Sequence, residues 1–235
     1  MYLAVKSLSL LSLLATLLAP LCLLAGEPNT LTAEEQAAGW KLLFDGKTVA
    51  GWVTISSGEP PAKGWEVIEG ALARKSTGGD LISTEKFARF ELTWEWKMAK
   101  ENGNSGVKYN LPDATKPLGC EYQLLGKTDR TGEKHETASL YDLIAPATDT
   151  VVNPPGEWNS GRVLFDTHKA EHWINGRKAV EYEPGSEALA ALIQTSHFRK
   201  VEGFGKPTES PILLQDHGGE VYFRSIKIRP LPATP

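Results

Sequence analysis

The chain has 235 residues, with 25 Lys and Arg against 29 Asp and Glu, which gives a formal net charge of −4 at pH 7. The basic residues are scattered, so no basic stripe is available to neutralise phosphates, and the composition argues against a nucleic-acid partner. The length suits one large domain, and we find no internal repeat or low-complexity tract.

Residues 1–25 have the three-part layout of a secretory signal peptide. Lys6 carries the positive charge, a long apolar run follows, and small residues end it before a polar stretch. Pro20 interrupts the run and no basic flank follows, so a membrane span is not predicted. We predict cleavage near Ala25, a lead-in over 26–38, and a periplasmic or secreted protein.

The two cysteines fit this interpretation. Cys22 lies inside the predicted signal, and lipid attachment there is disfavoured because Leu21, rather than a small residue, precedes it. Cys120 would then be the only thiol of the mature protein, which excludes an internal disulfide.

The mature chain begins with a short helix and continues as strands. Thr32 and Glu35 have the spacing of a capping box, which predicts a helix that ends at Gly39. Ser186 is placed to cap a second helix over 187–193. Between and around them, short alternating segments with Gly, Pro and Asn at their ends predict strands over 41–44, 65–68, 71–74, 80–83, 87–98, 105–109, 119–125, 139–143, 157–166, 169–174 and 178–181. These elements predict one all-β domain over 39–231, a jelly-roll or lectin-like sandwich with short peripheral helices.

The last two predicted strands form a hairpin around a turn at residues 217–219. Val221, Phe223, Ile226 and Ile228 supply the apolar side of the second strand, past a predicted bulge. The first strand ends with an amide, a carboxylate and an imidazole in succession, which can together bind a polyol and move protons: Gln215, Asp216 and His217. Ordinary turn chemistry is the alternative explanation for these three residues.

A second polar pattern lies in the strand over 119–125. Alternation places Glu121 and Gln123 on one face, and Cys120, Tyr122 and Leu124 on the other. If the second set faces the core, Glu121 and Gln123 line the outer surface of the sheet. A plain solvated face remains the alternative.

Other motifs exclude some chemistries. The Gly-rich turn around Asn104 lacks the Lys-Ser/Thr ending of a phosphate loop, so nucleotide binding is not supported. The histidines have no metal-ligand spacing, and neither a metal nor a cofactor is predicted. Glu91 and Glu95 share one strand face, but Thr93 replaces the middle acid of the usual glycosidase motif, so a two-carboxylate mechanism is not assigned.

A set of motifs, in order, resembles the 3-keto-disaccharide hydrolase domain, a bacterial family. The set comprises 39–47 (GWKLLFDGK), 51–52 (GW), 103–106 (GNSG), 121–125 (EYQLL), 139–146 (SLYDLIAP), 155–159 (PGEWN), 173–176 (WING), 203–205 (GFG), 211–218 (PILLQDHG) and 221–228 (VYFRSIKI). The resemblance implies a concanavalin A-like jelly-roll sandwich that hydrolyses glycosides whose sugar is a ketone at carbon 3. Gly126 departs from the acidic residue that usually follows the EYQ strand, which leaves any role of that acid in doubt here.

The chemistry of such a substrate suggests roles for the polar residues. A ketone at carbon 3 makes the carbon 2 proton acidic, so cleavage can proceed by proton abstraction, loss of the carbon 1 leaving group and addition of water. We predict Glu121 as the base, and His217 as the acid or the donor to the enolate oxygen. The candidate substrate contacts are Asn104, Gln123 and Gln215 for hydroxyl groups, Tyr109, Tyr141 and Trp158 for walls and stacking, Asp216 as a contact that could instead orient a loop or an ion, and Arg224.

The expected partner is therefore an oxidised oligosaccharide or glycoside. Two readings without catalysis stay open: a carbohydrate-binding module, and a structural or partner-binding exported domain. Acids and an imidazole that converge in one cleft favour the enzyme, whereas a flat aromatic face favours the binding module.

Overall fold

The computed structural model describes residues 27–129 and 131–232. The predicted signal peptide, with Cys22, lies outside the described residues. The strands are β1 Lys41–Leu42, β2 Trp52–Thr54, β3 Trp65–Ile68, β4 Ala71–Arg74, β5 Leu81–Phe87, β6 Phe90–Met98, β7 Asn104–Tyr109, β8 Cys120–Leu125, β9 Asn159–Phe165, β10 Ala170–Ile174, β11 Arg177–Tyr182, β12 Ser210–Leu214 and β13 Val221–Pro230. The helices are α1 Ala33–Ala37, α2 Glu187–Gln194 and a 3₁₀ turn, His197–Lys200.

The strands form two antiparallel sheets packed face to face, which confirms the predicted all-β sandwich. The larger sheet has eight strands in the order β11-β10-β9-β6-β13-β4-β3, with β1 paired to β13, and the smaller has the order β2-β5-β12-β7-β8. Aromatic side chains from both sheets fill the space between them. Trp94 of the larger sheet packs edge to face on Tyr122 of the smaller, with ring centroids 4.9 Å apart.

Local sequence signals explain most element boundaries. Thr32 and Glu35 form the predicted capping box of α1, and Ser186 caps α2. Asn175 and Gly176 both have positive φ in the two-residue turn between β10 and β11, as that turn type requires. No helix among the described residues is long and apolar enough to cross a membrane.

The predicted bulge in β13 is confirmed. The register with β6 shifts between Arg224 and Lys227, and Ser225 has a φ of 51°. Because one extra residue is accommodated there, Val221, Phe223, Ile226 and Ile228 all face the core and are buried.

Two predictions about pairing were wrong. The strands on either side of residues 217–219 do not form a hairpin, because β12 belongs to the smaller sheet and β13 to the larger. The segment 139–143 is not a regular strand, since Ala138 and Asp142 have positive φ. It follows the free edge of β8 and joins it through one isolated bridge, Tyr122 to Leu140.

The crossing between sheets places the predicted polar turn beside β7. Asn104 and Gly218 form an isolated bridge through two backbone hydrogen bonds, and Gln215 donates its N–H to the Gly106 carbonyl at 2.9 Å. The end of β12 therefore lies next to β7 and, beyond it, β8. Residues from three strands meet on the outer face of the smaller sheet.

Candidate active site

A buried ion pair lies at the centre of the outer face of the smaller sheet. The β7–β8 register places Lys108 directly opposite Glu121, with 3.3 Å between the ammonium and the carboxylate. The ammonium also donates to the Pro117 carbonyl at 3.0 Å. The side chains of Lys108 and Glu121 are only 10% and 6% exposed. Burying two charges is expensive and seldom adds stability, so the pair indicates a functional site.

Gly106 makes room for the Glu121 carboxylate. A Cβ atom at this position would lie 2.7 Å from Glu121 Oε1 and 3.1 Å from its carboxyl carbon. Any larger residue in the middle of β7 would therefore displace the carboxylate. The GNSG motif supplies the space as well as the turn.

Two acidic groups in this region have raised pKa values. Burial raises the pKa of Glu121, and the nearby charge of Asp80 adds to the effect, whereas Lys108 and His217 oppose it. Burial also raises the pKa of Asp80, against the N–H of Asp216 and the charges of Lys108 and His217. These four groups, Asp80, Lys108, Glu121 and His217, form one electrostatic cluster, which we call the acid–base cluster.

Amide side chains on the same and neighbouring strands lie around the acid–base cluster. Gln123 donates from Nε2 to Asn104 Oδ1 at 2.8 Å and to the carbonyl of Ser105 at 3.3 Å. Gln215 lies on the neighbouring strand end, and its buried Oε1 has no hydrogen-bond partner among the described residues. A buried, unpartnered amide oxygen is costly, and a hydroxyl group of a ligand would satisfy it.

His217 and Asp216 have different environments. His217 is exposed at the turn and close enough to influence Glu121 and Asp80 electrostatically. Asp216 points away: its carboxylate binds Arg74 and accepts the N–H groups of Gly78 and Gly79 at 2.8 and 2.6 Å. Although burial opposes it, these donors lower the pKa of Asp216. The predicted substrate contact at Asp216 was wrong, and its side chain instead orients the loop before Asp80.

Tyr141 borders the acid–base cluster from the edge of β8. Its N–H donates to the Glu121 carbonyl at 3.0 Å. Burial, followed by the charges of Glu121 and Asp142, raises the pKa of its hydroxyl. Asp142 in turn accepts from His197 Nδ1 at 2.7 Å and contacts His135 Nε2 at 3.2 Å. These contacts of Asp142 hold the segment that carries Tyr141 in place.

Tyr109 is not in the candidate site, although the sequence placed it there. It alternates with Lys108 and therefore faces the core, where it is fully buried. Its hydroxyl contacts His172 Nε2 at 2.6 Å and the Tyr182 hydroxyl at 2.9 Å.

Trp158 and Arg224 lie on the other side of the sandwich. They stack on each other, with 4.0 Å from the guanidinium carbon to the ring centroid, on the outer face of the larger sheet. Arg224 also pairs with Glu95 of β6 at 2.8 Å. The prediction that they contact the same substrate as Glu121 was wrong, because β13 and the start of β9 belong to the larger sheet.

Lys108 and Asp80 are the cluster residues that sequence reasoning missed. The signal for Lys108 was present, since the alternation that orients Glu121 in β8 also turns Lys108 outward in β7. Asp80 has no such local signal: it precedes β5, and its Oδ1 accepts the N–H of the distant Asp216 at 2.7 Å.

Among residues 27–129 and 131–232, no group of three or more His, Cys, Asp or Glu side chains is arranged to hold a metal ion. The acid–base cluster itself offers a buried carboxylate, an ammonium and an exposed imidazole, with several amides nearby.

The fold and the site define a β-sandwich protein with a buried acid–base cluster on the outer face of one sheet. Comparison with known sequences is more specific, because the 3-keto-α-glucoside-1,2-lyase-like domain family matches residues 39–229. The chain belongs to this family, which confirms the resemblance carried by the ordered motifs.

Similar proteins include one from Bacteroides thetaiotaomicron and two of known structure from Parabacteroides distasonis. The chain is 32% identical over 245 residues to the 3-keto-disaccharide hydrolase of Bacteroides thetaiotaomicron, a match that covers 88% of this chain and 83% of that protein. A crystal structure of a candidate glycosyl hydrolase from Parabacteroides distasonis superposes with a TM-score of 0.77 at 33% identity, covering 88% of this chain and all of that one. A second such structure, at 22% identity and a TM-score of 0.64, covers 82% of this chain and 99% of the other and shares the fold.

Proposed function

We propose that the protein is an exported hydrolase that cleaves the glycosidic bond of 3-keto-glycosides or 3-keto-disaccharides by elimination and hydration. The observation that carries the proposal is the buried Glu121–Lys108 pair, 3.3 Å apart, beside the unpartnered amide oxygen of Gln215. The family description names a 1,2-lyase for 3-keto-α-glucosides, and elimination is the chemistry of a lyase.

Glu121 is the general base of the proposed reaction. Its carboxylate takes the proton from carbon 2, and the electron pair of that C–H bond forms an enolate whose charge lies on the carbon 3 oxygen. A carboxylate with a raised pKa is a stronger base than an exposed one. Burial, the main cause of the raised pKa of Glu121, also excludes competing water.

Lys108 supplies the charge that stabilises the enolate, and His217 supplies the proton for the leaving group. The Lys108 ammonium already holds the Glu121 carboxylate, so the oxygen of a substrate ketone placed beside that carboxylate lies within its reach. The bond from carbon 1 to the leaving oxygen then breaks, and this oxygen takes a proton from His217. The enolate electrons form a double bond between carbons 1 and 2 as the leaving oxygen departs. Water then adds to carbon 1 and gives a proton back to His217, and Glu121 returns a proton to carbon 2, which restores the ketone.

Hydroxyl recognition falls to the amides of the site. Gln215 offers its free oxygen, Asn104 and Gln123 form a hydrogen-bonded pair at 2.8 Å, and Tyr141 stands at the edge. A polyol can bind several of these groups at once, which fixes carbon 2 against Glu121.

The test uses one disaccharide in two oxidation states. Purified mature protein should cleave the 3-keto form and leave the unoxidised form intact. In deuterated water the sugar product should carry deuterium at carbon 2, because the abstracted proton exchanges before hydration. Equal cleavage of both forms would refute the substrate. Cleavage without deuterium at carbon 2, together with an unchanged rate for a substrate that carries deuterium at carbon 2, would refute elimination.

Export is a separate part of the proposal and rests on the layout of residues 1–25. Intact-mass measurement of protein from the periplasmic or culture fraction should give a chain that begins near Gly26. A mass that retains residues 1–25, or a lipid adduct on Cys22, would contradict it.

A further inference from the structure

The outer face of the larger sheet carries a groove of about 360 Å³. Its lining includes Thr93, Glu95, Ser160, Arg162, Trp173 and Lys227. This volume lies within the range of about 300–1,000 Å³ typical of small-molecule sites. The groove is on the opposite side of the sandwich from the acid–base cluster, and the proposed function does not use it.

Strand register explains why a groove forms here. On the outer face, Trp173 stands opposite Arg162, and Arg162 opposite Thr93. Glu95 stands opposite Ser160 in the next outward-facing row. The short side chains of Thr93 and Ser160 therefore form a floor between longer neighbours.

Tryptophans border this floor on two sides. Of the seven tryptophans in the sequence, Trp52, Trp65, Trp94 and Trp96 are buried in the core. The other three, Trp40, Trp158 and Trp173, are half-buried in the described structure. All three contact arginines on the larger sheet.

Trp173 lines the groove itself, while Trp158 lies beyond Ser160 along β9 and packs on Arg224, the partner of Glu95. Half-exposed indole rings held in place by guanidinium groups present rigid apolar surface, which suits the C–H face of a sugar ring.

The charges around the groove are already paired. Glu95 binds Arg224 at 2.8 Å, Glu35 binds Lys227 at 2.7 Å, and Glu91 binds both Arg162 and Arg229. A charged ligand would have to break one of these pairs. A neutral polyol can instead use the remaining lone pairs and N–H groups without breaking any.

We propose that this groove binds a neutral, unoxidised glycan chain and does not cleave it. A sugar ring stacks on Trp173, and hydroxyl groups bond to Thr93, Ser160 and the Glu95–Arg224 pair. Cleavage is absent because Thr93 occupies the position between Glu91 and Glu95, and both carboxylates are held by arginines. The protein then has a catalytic face and a second face that anchors it to the polysaccharide around its substrate.

The test measures binding in a catalytically disabled background, so that turnover does not interfere. Mature protein with Glu121→Gln is run in affinity gels containing mixed-linkage β-glucan, xylan, galactomannan, dextran or the anionic polygalacturonate. We expect retardation by at least one neutral polysaccharide. Adding Trp173→Ala should weaken binding roughly tenfold or more, as removal of a central aromatic contact does, and Trp173→Phe should recover part of it.

Trp40→Ala is the matched control, because Trp40 is a half-buried tryptophan on the same sheet face but outside the groove. It should leave the retardation unchanged. Trp173→Ala in the active protein should keep its thermal midpoint and its turnover of a 3-keto-disaccharide. No retardation by any neutral polysaccharide, retardation by polygalacturonate alone, or an equal loss in Trp40→Ala would overturn the proposal.

Discussion

Both outer faces of the sandwich carry ion pairs, and one pair from each face differs strongly in burial. On the smaller sheet, Lys108 and Glu121 lie opposite each other on the adjacent strands β7 and β8, and their side chains are 10% and 6% exposed. On the larger sheet, Lys178 and Glu181 also pair, but their side chains are 43% and 48% exposed. The first pair follows from alternation in β7 and β8, whereas Lys178 and Glu181 lie three residues apart in β11 and share a face because the register with β10 shifts between them. Both pairs lie on an outer face, so that position alone does not distinguish a site from a solvated surface.

The two pairs differ in how much hydration they lose when the protein folds. An exposed ion pair contributes about 0–1 kcal/mol and is easily replaced. A buried pair loses its hydration, and its attraction restores only part of that loss. Burial alone does not assign a function, because the Arg74–Asp216 pair is as buried and orients a loop. The Lys108–Glu121 pair differs because Gly106 leaves space beside its carboxylate and because Asp80 and His217 act on the same carboxylate.

The sharpest way to break this comparison is to remove one carboxylate from each face. Glu121→Gln keeps shape and hydrogen bonding but removes the base, so turnover of a 3-keto-disaccharide should fall by roughly 10²–10⁴ while substrate binding is largely kept. Glu181→Gln, the matched change in the exposed pair, should alter kcat/KM by less than about twofold. Similar losses in both variants would show that burial does not mark the active face.

The cation of each pair gives the next largest contrast. Lys108→Met removes the proposed enolate donor, and turnover should fall by roughly 10²–10³, as after loss of an oxyanion-hole donor. Lys108 also lowers the pKa of Glu121, so the acid limb of the pH profile of kcat/KM should move to higher pH. Lys178→Met should do neither. An acid limb that moves to lower pH in Lys108→Met would contradict the assigned pair.

Part of this arrangement could be read from the sequence. Alternation correctly turned Glu121 and Gln123 outward and buried Cys120, Tyr122 and Leu124. The same rule applied to β7 would have excluded Tyr109 and found Lys108.

The assignment of strands to sheets could not be read in this way. The turn at 217–219 looks locally like a hairpin, but its strands enter different sheets because long-range pairing decides their partners. For that reason Trp158 and Arg224 were grouped with Glu121, and Asp80, which depends on a contact with Asp216, was missed.

His172 lies buried in the core between the two sheets, and its burial leads to a prediction about how stability depends on pH. Its Nδ1 contacts the Ala138 carbonyl at 3.1 Å, next to the segment that borders Glu121. Burial lowers the pKa of His172 from its usual 6.5 to about 4. The unfolded chain takes up a proton below pH 6.5 and the folded chain does not. The free energy of unfolding that depends on a neutral His172 is therefore fully present above pH 6.5 and is lost as the pH falls towards 4.

The pKa difference corresponds to about 3 kcal/mol of unfolding free energy. Urea unfolding at pH 7, 5 and 4 should show this loss in the wild type and a flatter profile in His172→Gln, which removes the titrating group. Equal pH dependence in the two proteins would mean that His172 does not carry the effect.

The smallest effect is expected from removing the charge of Asp80. This change tests the acid–base cluster without removing the proposed catalytic groups. The charge of Asp80 raises the pKa of Glu121, although burial is the main cause. Asp80→Asn keeps an Oδ1 to accept the N–H of Asp216 and removes only the charge. Glu121 then loses its proton more easily, and the acid limb of kcat/KM should move to lower pH by less than about one unit.

Asp149, which pairs with Arg177 at 3.3 Å through two largely exposed side chains, offers the matched change. Asp149→Asn should leave the acid limb in place. A shift of the acid limb to higher pH in Asp80→Asn, or an equal shift in Asp149→Asn, would show that the charge of Asp80 does not raise the pKa of Glu121. The opposite directions expected for Asp80→Asn and Lys108→Met are the strongest check, because a general loss of stability would not move one pH profile in two directions.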